Sequence, residues 1–209
     1  NFKNLAVLIY ILADVDSLEI PFAEPPVGAR RFLPPAPAQS WWDAGVLDAS
    51  VSQSIGCVQV AFETGDIAGE AINSLMGETN VVLISSGQED CLYLNLYAPV
   101  QAGEHPLPVM VWIYGGGFTM GSATPLQYGP QKFMDTNSVI LVRILDMMIL
   151  ADDDCQVTFN YRLSGLGWLS VDSEEVQGNQ GLHDMVAALS RVQDNVANFG
   201  GDPDQVTIS

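Results

Sequence analysis

The sequence is poor in positive charge. Its 209 residues hold seven Lys and Arg against 25 Asp and Glu, a formal net charge of -18. A surface of this sign repels phosphate backbones, so the composition argues against a nucleic-acid partner. No run of about 18 apolar residues occurs, which argues against a membrane-spanning helix. Hydrophobic residues still make up 48% of the chain, and this content predicts a packed core.

Cysteine is also scarce, with only Cys57, Cys91 and Cys155. An odd number allows one disulfide at most and leaves one thiol over. The apolar stretch Leu5–Ala13 has the length of a signal-peptide core. A buried strand explains that stretch equally well, so the sequence leaves both interpretations open.

Three consecutive glycines, Gly115–Gly117, follow the short apolar run Val109–Tyr114. The run is rich in β-branched and aromatic residues, which predicts a buried strand. Glycines at the exit of a strand adopt backbone angles barred to other residues and let a ligand approach closely. Their N–H groups can then point at a ligand oxygen, as in an oxyanion hole. A plain glycine-rich turn is the equally weighted alternative.

Periodicity predicts the remaining elements. Leucine alternates with polar residues in Asp90–Pro99, which predicts a strand with two different faces. Apolar residues recur at three and four positions over Gly178–Phe199, which predicts an amphipathic helix ended by Gly200 and Gly201. Further strands are predicted at Val139–Val142, Val157–Tyr161 and Val206–Ile208.

The segment between Cys57 and Cys91 is longer than 30 residues, and its middle has helical periodicity. Apolar residues from Ile67 to Met76 recur at the spacing of one helix face. A disulfide-closed loop that carries an amphipathic helix is a candidate for a hinged lid. A helix packed permanently on the core accounts for the same pattern.

Six motifs stand in order along the chain: Ile20–Gly28 (IPFAEPPVG), Glu89–Asn95 (EDCLYLN), Val111–Phe118 (VWIYGGGF), Asn160–Leu163 (NYRL), Gly178–Leu182 (GNQGL) with Asp184, and Phe199–Pro203 (FGGDP). In this order they resemble the type-B carboxylesterase, lipase and cholinesterase family of α/β-hydrolases. The resemblance extends over about Ile20 to Ser209. Any one of the motifs alone would be a weak signal, and the set of six is specific.

The resemblance implies a role for four of these residues. It assigns the N–H groups of Gly116 and Gly117 to the oxyanion hole, which makes these two glycines the candidate catalytic residues. It pairs Cys57 with Cys91 in the family's first disulfide, which closes the loop that covers the active-site gorge. Paired cysteines point to an oxidising compartment and hence to secretion.

The resemblance also implies structural roles and a branch of the family. Arg31 and Glu89 match a structural salt bridge, and Asp184 and Asp202 look like structural residues at the two ends of the predicted helix. The cholinesterase branch places a tryptophan in the loop between these two cysteines to hold a quaternary ammonium. In this sequence Phe62 is the only aromatic residue between Cys57 and Cys91. The loop looks more like the lid of the fungal lipase branch, which favours lipid or other hydrophobic esters as substrates.

The family's nucleophile motif, Gly-x-Ser-x-Gly, does not occur in these 209 residues. In the family it follows a segment like Val206–Ser209, and the acidic residue and the histidine of the triad lie further along. His105 and His183 match no catalytic position of the family. Oxyanion donors without a nucleophile and a base contribute little, so the chain as written is expected to turn over no ester.

One block departs from the family pattern. Val139–Leu141 and Val157–Arg162 resemble two halves of one central strand, and Val142–Gln156 separates them. Three carboxylates, Asp152–Asp154, would carry a large desolvation cost inside a buried strand. A metal site is disfavoured, because hard cations need ligands at spaced positions. We therefore expect an insert at 142–156 and hypothesise that it is translated intron. The same hypothesis applies to residues 1–19. A mature transcript that encodes Asp152–Asp154 would refute it.

Taken together, the sequence predicts an α/β fold, the N-terminal portion of an α/β-hydrolase with an incomplete central mixed β-sheet spanning residues 1–209. The predicted function is a fragment of a carboxylic ester hydrolase that acts on a small-molecule or lipid ester, with no cofactor and no metal. The sequence does not specify an oligomeric state. A non-catalytic family member that serves binding or adhesion is the alternative, and an unrelated small binding domain is the weakest reading, because a doubly wound core needs helices on both faces of a finished sheet.

Overall fold

A computed structural model describes residues 15–38, 55–63, 82–98, 105–123, 155–171, 173 and 176–209. Several predictions lie outside these residues: the apolar stretch Leu5–Ala13, the helix from Ile67 to Met76, the strand Val139–Val142, and residues 142–154 of the expected insert. They stay predictions. Among the described helices, none has both the length and the apolar character needed to span a membrane.

The described residues form seven strands and two α-helices. The strands are β1 (Val15–Pro21), β2 (Gln59–Glu63), β3 (Val82–Ser86), β4 (Tyr93–Ala98), β5 (Leu107–Trp112), β6 (Cys155–Phe159) and β7 (Gly201–Ile208). The helices are α1 (Ser164–Trp168) and α2 (Gln180–Asn195), with 3-10 turns at Gly28–Arg30 and Val196–Phe199.

Five of the strands form one mixed sheet in the order β1-β4-β6-β5-β7. β4 runs antiparallel to both β1 and β6, whereas β5 runs parallel to β6 and to β7. The chain passes from β6 through α1 and α2 to β7, which supplies the helical crossover that parallel strands require. β2 and β3 form a separate antiparallel pair. The predicted α/β class and the mixed sheet are confirmed.

The predicted two-faced strand is an interior strand with both faces covered. Leu94 and Leu96 of β4 are buried as expected, but Asn95 and Tyr97 between them are buried as well. The amide of Asn95 is satisfied because it donates to the carbonyl of Ala123 at 2.7 Å. Alternation therefore identified the strand correctly, and its second face is buried as well because the amide of Asn95 is hydrogen-bonded.

Helix α2 lies where periodicity predicts it, and Gly200 ends the following 3-10 turn with a φ of 86°. The predicted apolar stripe is buried at Val192 and Val196 but not at its first two positions. Leu182 and Val186 are about half exposed, whereas Asp184, Ala188 and Val192 face the core. The prediction weighted residues by hydrophobicity alone, and the helix instead turns a carboxylate and a small residue inward.

Strand β6 begins two residues earlier than expected. Cys155 and Gln156, assigned to the end of the insert, are buried residues of the strand and pair with Val109 and Met110 of β5. Cys155 takes part in no disulfide. The last two residues of the expected insert therefore belong to the central sheet. They continue β6 in regular parallel register with β5, without a bulge.

A buried ion pair joins the end of β6 to helix α2. The Arg162 guanidinium donates to Asp184 through Nε at 2.8 Å and Nη2 at 2.7 Å, and the N–H of Arg162 donates to the same carboxylate. Both side chains are almost fully buried. Burial raises the pKa of the Asp184 carboxyl, while the hydrogen bonds and the charge of Arg162 counteract that rise. The same guanidinium donates through Nη1 to the carbonyls of Arg31 and Leu33.

The salt bridge and the disulfide implied by the resemblance are both present. Arg31 Nε donates to Glu89 at 2.8 Å, and this hydrogen bond and then the charge of Glu89 raise the pKa of the arginine. Cys57 and Cys91 form the disulfide. Asp184 is structural as expected. Asp202 lies in β7, beyond the end of the helix, and its described hydrogen bonds come from Asp204 and Gln205.

Candidate active site

Two tyrosines brace the carboxyl ends of the parallel strands β5 and β6. Tyr114 and Tyr161 stack with ring centroids 4.6 Å apart. The hydroxyl of Tyr114 donates to the carbonyl of Tyr161 at 3.2 Å, and the hydroxyl of Tyr161 donates to the carbonyl of Tyr114 at 3.0 Å. Both residues are fully buried. The chain therefore enters the glycine triplet from a fixed point.

Residues 115–121 follow Tyr114 directly, and we call them the glycine loop. Residues 115–120 of this loop are exposed. The carbonyl of Gly116 accepts hydrogen bonds from the N–H groups of Thr119 and Met120 and from the Thr119 hydroxyl. Among the described residues, no acceptor faces the N–H of Gly116 or Gly117. The turn thus engages the Gly116 carbonyl inside the loop, and within the described part of the chain the two adjacent N–H groups have no acceptor.

Glycine is required at some positions of this loop and not at others. Gly116 has a φ of 132°, and a Cβ there would lie 1.9 Å from the Met120 carbonyl oxygen. Gly117 has a φ of 60° with open space around it, and Gly115 has open space without a positive φ. A side chain is therefore incompatible with the fold at Gly116, strained at Gly117 and tolerated at Gly115.

Two polar side chains from other elements hold the glycine loop. Ser164, at the start of α1, donates its N–H to the Phe118 carbonyl at 2.8 Å and its hydroxyl to the Thr119 carbonyl at 3.1 Å. Gln59, at the start of β2, bonds to both backbone groups of Gly121. The loop is exposed but anchored at its middle and at its exit.

An open apolar cavity of about 300 Å³ lies beside the loop. Gln59 and Ser164, which both contact the loop, line it together with apolar side chains: Phe32, Val58, Leu163, Leu166 and Leu169. On the loop itself Phe118 packs on Trp168 with centroids 4.4 Å apart, and Phe118 and Met120 remain substantially exposed. The cavity is therefore adjacent to the residues that hold the loop, while Gly116 and Gly117 themselves are exposed.

The described part of the chain brings no metal-binding group of three or more His, Cys, Asp or Glu residues together. His105 precedes β5, and His183 lies exposed in the first turn of α2. Burial and then the charge of Asp90 raise the pKa of Tyr93, which lies two residues after Cys91. None of these groups contacts the glycine loop.

The sequence model of the carboxylesterase family matches residues 16–209. The chain belongs to the carboxylesterase family. Its α/β fold is therefore that of the α/β-hydrolases, in agreement with the mixed sheet, and the match begins four residues before the first motif recognised in the sequence.

Curated members of the family give the scale of the relationship. The chain is 40% identical over 192 residues to carboxylesterase 1F of Mus musculus and 41% identical over 192 residues to the cocaine esterase of Oryctolagus cuniculus. Each alignment covers 91% of this chain, but only 30% and 31% of the relative. The chain thus spans about three tenths of the length of these carboxylesterases.

Sequence reasoning located the two glycines and missed the side chains that hold them. Gln59 and Ser164 carry no signal of periodicity or charge, because each acts through hydrogen bonds to a distant backbone. Tyr161 was predicted as the end of a strand, but its hydrogen bond to the Tyr114 carbonyl was not. Gln59 and Gly121, for example, are 62 residues apart. The position of Gln59, two residues after a paired cysteine, was the one available hint.

Proposed function

We propose that this chain supplies the oxyanion hole of a carboxylic ester hydrolase through the N–H groups of Gly116 and Gly117. The observation that carries the proposal is the loop turn that engages the Gly116 carbonyl and leaves these two donors without an acceptor in the described residues. Membership of the carboxylesterase family supports it.

The chemistry follows from the direction of these donors. When a nucleophile attacks an ester carbonyl, the carbon becomes tetrahedral and negative charge develops on its oxygen. Fixed N–H donors bind that oxygen more strongly than the neutral carbonyl, so they lower the barrier and not merely the dissociation constant. The tyrosine brace beneath the loop holds the donors in place beforehand, which avoids a reorganisation cost during the reaction.

The nucleophile, the base and the acid of the triad are proposed to come from residues other than these 209. Because no Gly-x-Ser-x-Gly occurs here, the chain alone is proposed to bind an ester carbonyl without cleaving it. A complete polypeptide would add the serine, which attacks the carbonyl, and the histidine, which takes the serine proton and passes it to the leaving alcohol.

The proposed substrate is a small-molecule or lipid ester with a hydrophobic portion. The apolar cavity beside the loop can accept such a portion while the carbonyl reaches Gly116 and Gly117. We also propose that the 57–91 loop resembles the lid of a fungal lipase. We further propose that the protein is secreted, because the Cys57–Cys91 disulfide favours an oxidising compartment.

The test compares two glycine variants in a polypeptide extended through the coding sequence that follows Ser209. We expect the extended protein to hydrolyse p-nitrophenyl butyrate and the 209-residue chain to show no rate above buffer. Gly116→Ala keeps the backbone N–H, but its Cβ would lie 1.9 Å from the Met120 carbonyl oxygen and must displace the turn. We expect kcat/KM to fall by about 100- to 1,000-fold, the size of losing one oxyanion donor. Gly115→Ala is the matched control and should stay within about threefold, because its side chain meets open space.

Equal rates for the two variants would refute the role of Gly116. An extended protein with the serine replaced and no turnover would support the alternative, a family member that binds rather than cleaves.

A further inference from the structure

Gln59 connects two segments that are far apart in the sequence. Its Nε2 donates to the carbonyl of Gly121 at 2.9 Å, and its Oε1 accepts the N–H of Gly121 at 2.8 Å. Nε2 also donates to the carbonyl of Cys57 at 3.2 Å. The side-chain amide thus pairs with both backbone groups of one residue, as a neighbouring strand would.

Gly121 is the residue whose position decides where the glycine loop ends. It has a φ of 123°, and a Cβ there would lie 2.5 Å from the ring of Tyr114. The residue is therefore held between the tyrosine brace on one side and the Gln59 amide on the other. The preceding residue, Met120, donates its N–H to Gly116, so a displacement of Gly121 is transmitted directly to the turn that presents Gly116 and Gly117.

The other end of this connection is the base of the disulfide-closed loop. Gln59 follows Cys57 by two residues and opens β2, which pairs with β3 on the returning side of the same loop. Both strands lead into residues 64–81. A shift of β2 at the base of the loop therefore acts on the Gln59 side chain and through it on Gly121.

We propose that Gln59 is a positioning residue that couples the base of the 57–91 loop, which is the Cys57–Cys91 disulfide with β2 and β3, to the oxyanion donors. The coupling itself follows from the contacts of Gln59, and its meaning for ester binding rests on the proposed role of Gly116 and Gly117. Gln59 need not touch the substrate to act in this way, because it fixes the exit of the loop that does.

Gln88 provides a matched control at the same place in the fold. It forms a bridge with Cys57 at the base of the loop, and its Nε2 also donates to a carbonyl, at 2.8 Å. That carbonyl belongs to Asp90, two residues away, so the bond stays local. Replacing Gln88 removes a glutamine of the same chemistry and leaves the glycine loop untouched.

The experiment measures amide hydrogen exchange by NMR in the 209-residue chain. Gln59→Met keeps the length of the side chain and removes its polar atoms. We expect exchange at Gly121 and in the glycine loop to accelerate about tenfold, the size expected for one or two neutral hydrogen bonds. Gln59→Glu keeps an acceptor for the Gly121 N–H, so that amide should stay protected. Gln88→Met should change loop exchange by less than about twofold.

Two further readouts separate positioning from general destabilisation. Amides of β4 and β6 report global opening, and we expect them to be unchanged in Gln59→Met. Reduction of the Cys57–Cys91 disulfide should accelerate exchange at Gly121 in the unsubstituted chain and add nothing in Gln59→Met. Unchanged loop exchange in Gln59→Met, equal effects in Gln59→Met and Gln88→Met, or additive effects of reduction would overturn the proposal.

A titration with sodium butyrate tests the functional part separately. Its carboxylate oxygen stands in for the charged oxygen of the reaction, and sodium chloride at equal ionic strength is the control. We expect the Gly116 and Gly117 amides to shift in the unsubstituted chain and to need about tenfold more butyrate in Gln59→Met. No shift in the unsubstituted chain would reject the oxyanion hole and leave the exchange result for Gln59 intact.

Discussion

Two arginines hold the proline-rich segment 21–37 in place, and they do so in opposite environments. Arg162 and Asp184 have side chains 3% and 0% exposed, whereas Arg31 and Glu89 have side chains 43% and 28% exposed. Arg162 binds the segment through two of its carbonyls, and Arg31 belongs to the segment and binds outward to Glu89. The buried pair is a junction of three elements, and the exposed pair is a single contact.

The difference shows which of the two pairs the fold depends on. A buried charge that loses its partner cannot be solvated, so removal of one partner costs far more than the pair contributes on balance. An exposed pair exchanges its partner for water, and salt screens it. Family resemblance marked both sites as structural, and only burial ranks them.

The largest effect is expected from Asp184→Ala. It leaves the Arg162 guanidinium buried without its carboxylate, and we expect a loss of about 3–5 kcal/mol in the free energy of unfolding. Urea denaturation followed by far-UV circular dichroism measures it. A loss below about 1 kcal/mol would show that water reaches the site and that the two pairs do not differ as described.

Replacing both partners sharpens the same comparison. Arg162→Met with Asp184→Leu removes the unpaired charge, so this double variant should be more stable than Asp184→Ala alone. It should not regain the full stability, because the carbonyls of Arg31 and Leu33 lose the donor that Arg162 gives them. A double variant less stable than Asp184→Ala would contradict this account.

Removal of the disulfide should have an intermediate effect and act on one pair only. Cys57→Ala with Cys91→Ala opens a loop with a separation of 34 residues, and we expect a loss of about 2–4 kcal/mol in unfolding free energy. Glu89 lies two residues from Cys91, so the coupling between Arg31 and Glu89 in a double-mutant cycle should vanish in this background. The coupling between Arg162 and Asp184 should persist.

The smallest effect is expected from Glu89→Gln. The pair lies at the surface, and the glutamine keeps an oxygen that can accept from Arg31. We expect a small decrease in the urea midpoint at low ionic strength and no measurable decrease at high ionic strength, because salt screens exposed charges. A decrease that persists at high ionic strength would show that the pair acts by hydrogen bonding rather than by charge.

Prediction from the sequence succeeded where the signal is local. Periodicity found β4, β5 and α2, and the glycines after α2 marked where it stops. The glycine triplet was an even choice between a turn and an oxyanion hole on its own. The family motifs around it favoured the second, which stays a prediction; among the described residues the Gly116 and Gly117 N–H groups have no acceptor.

The rest depended on contacts between distant residues, which no local pattern encodes. The predicted burial of Leu182 and Val186 was wrong, because the first turns of α2 face inward with Asp184, which binds Arg162. The burial of the second face of β4 was not predicted, because it depends on the buried hydrogen bonds of Asn95 with Thr158 and Ala123. Hydrogen bonds of this kind make polar residues part of the core.

The tyrosine brace has a consequence for how sequences in this family can diverge. The hydroxyl of Tyr114 serves the backbone of Tyr161, and the hydroxyl of Tyr161 serves the backbone of Tyr114. Loss of either hydroxyl leaves a buried carbonyl of the other residue without its donor. Selection therefore acts on the two positions as one character, and we expect them to be replaced together or not at all.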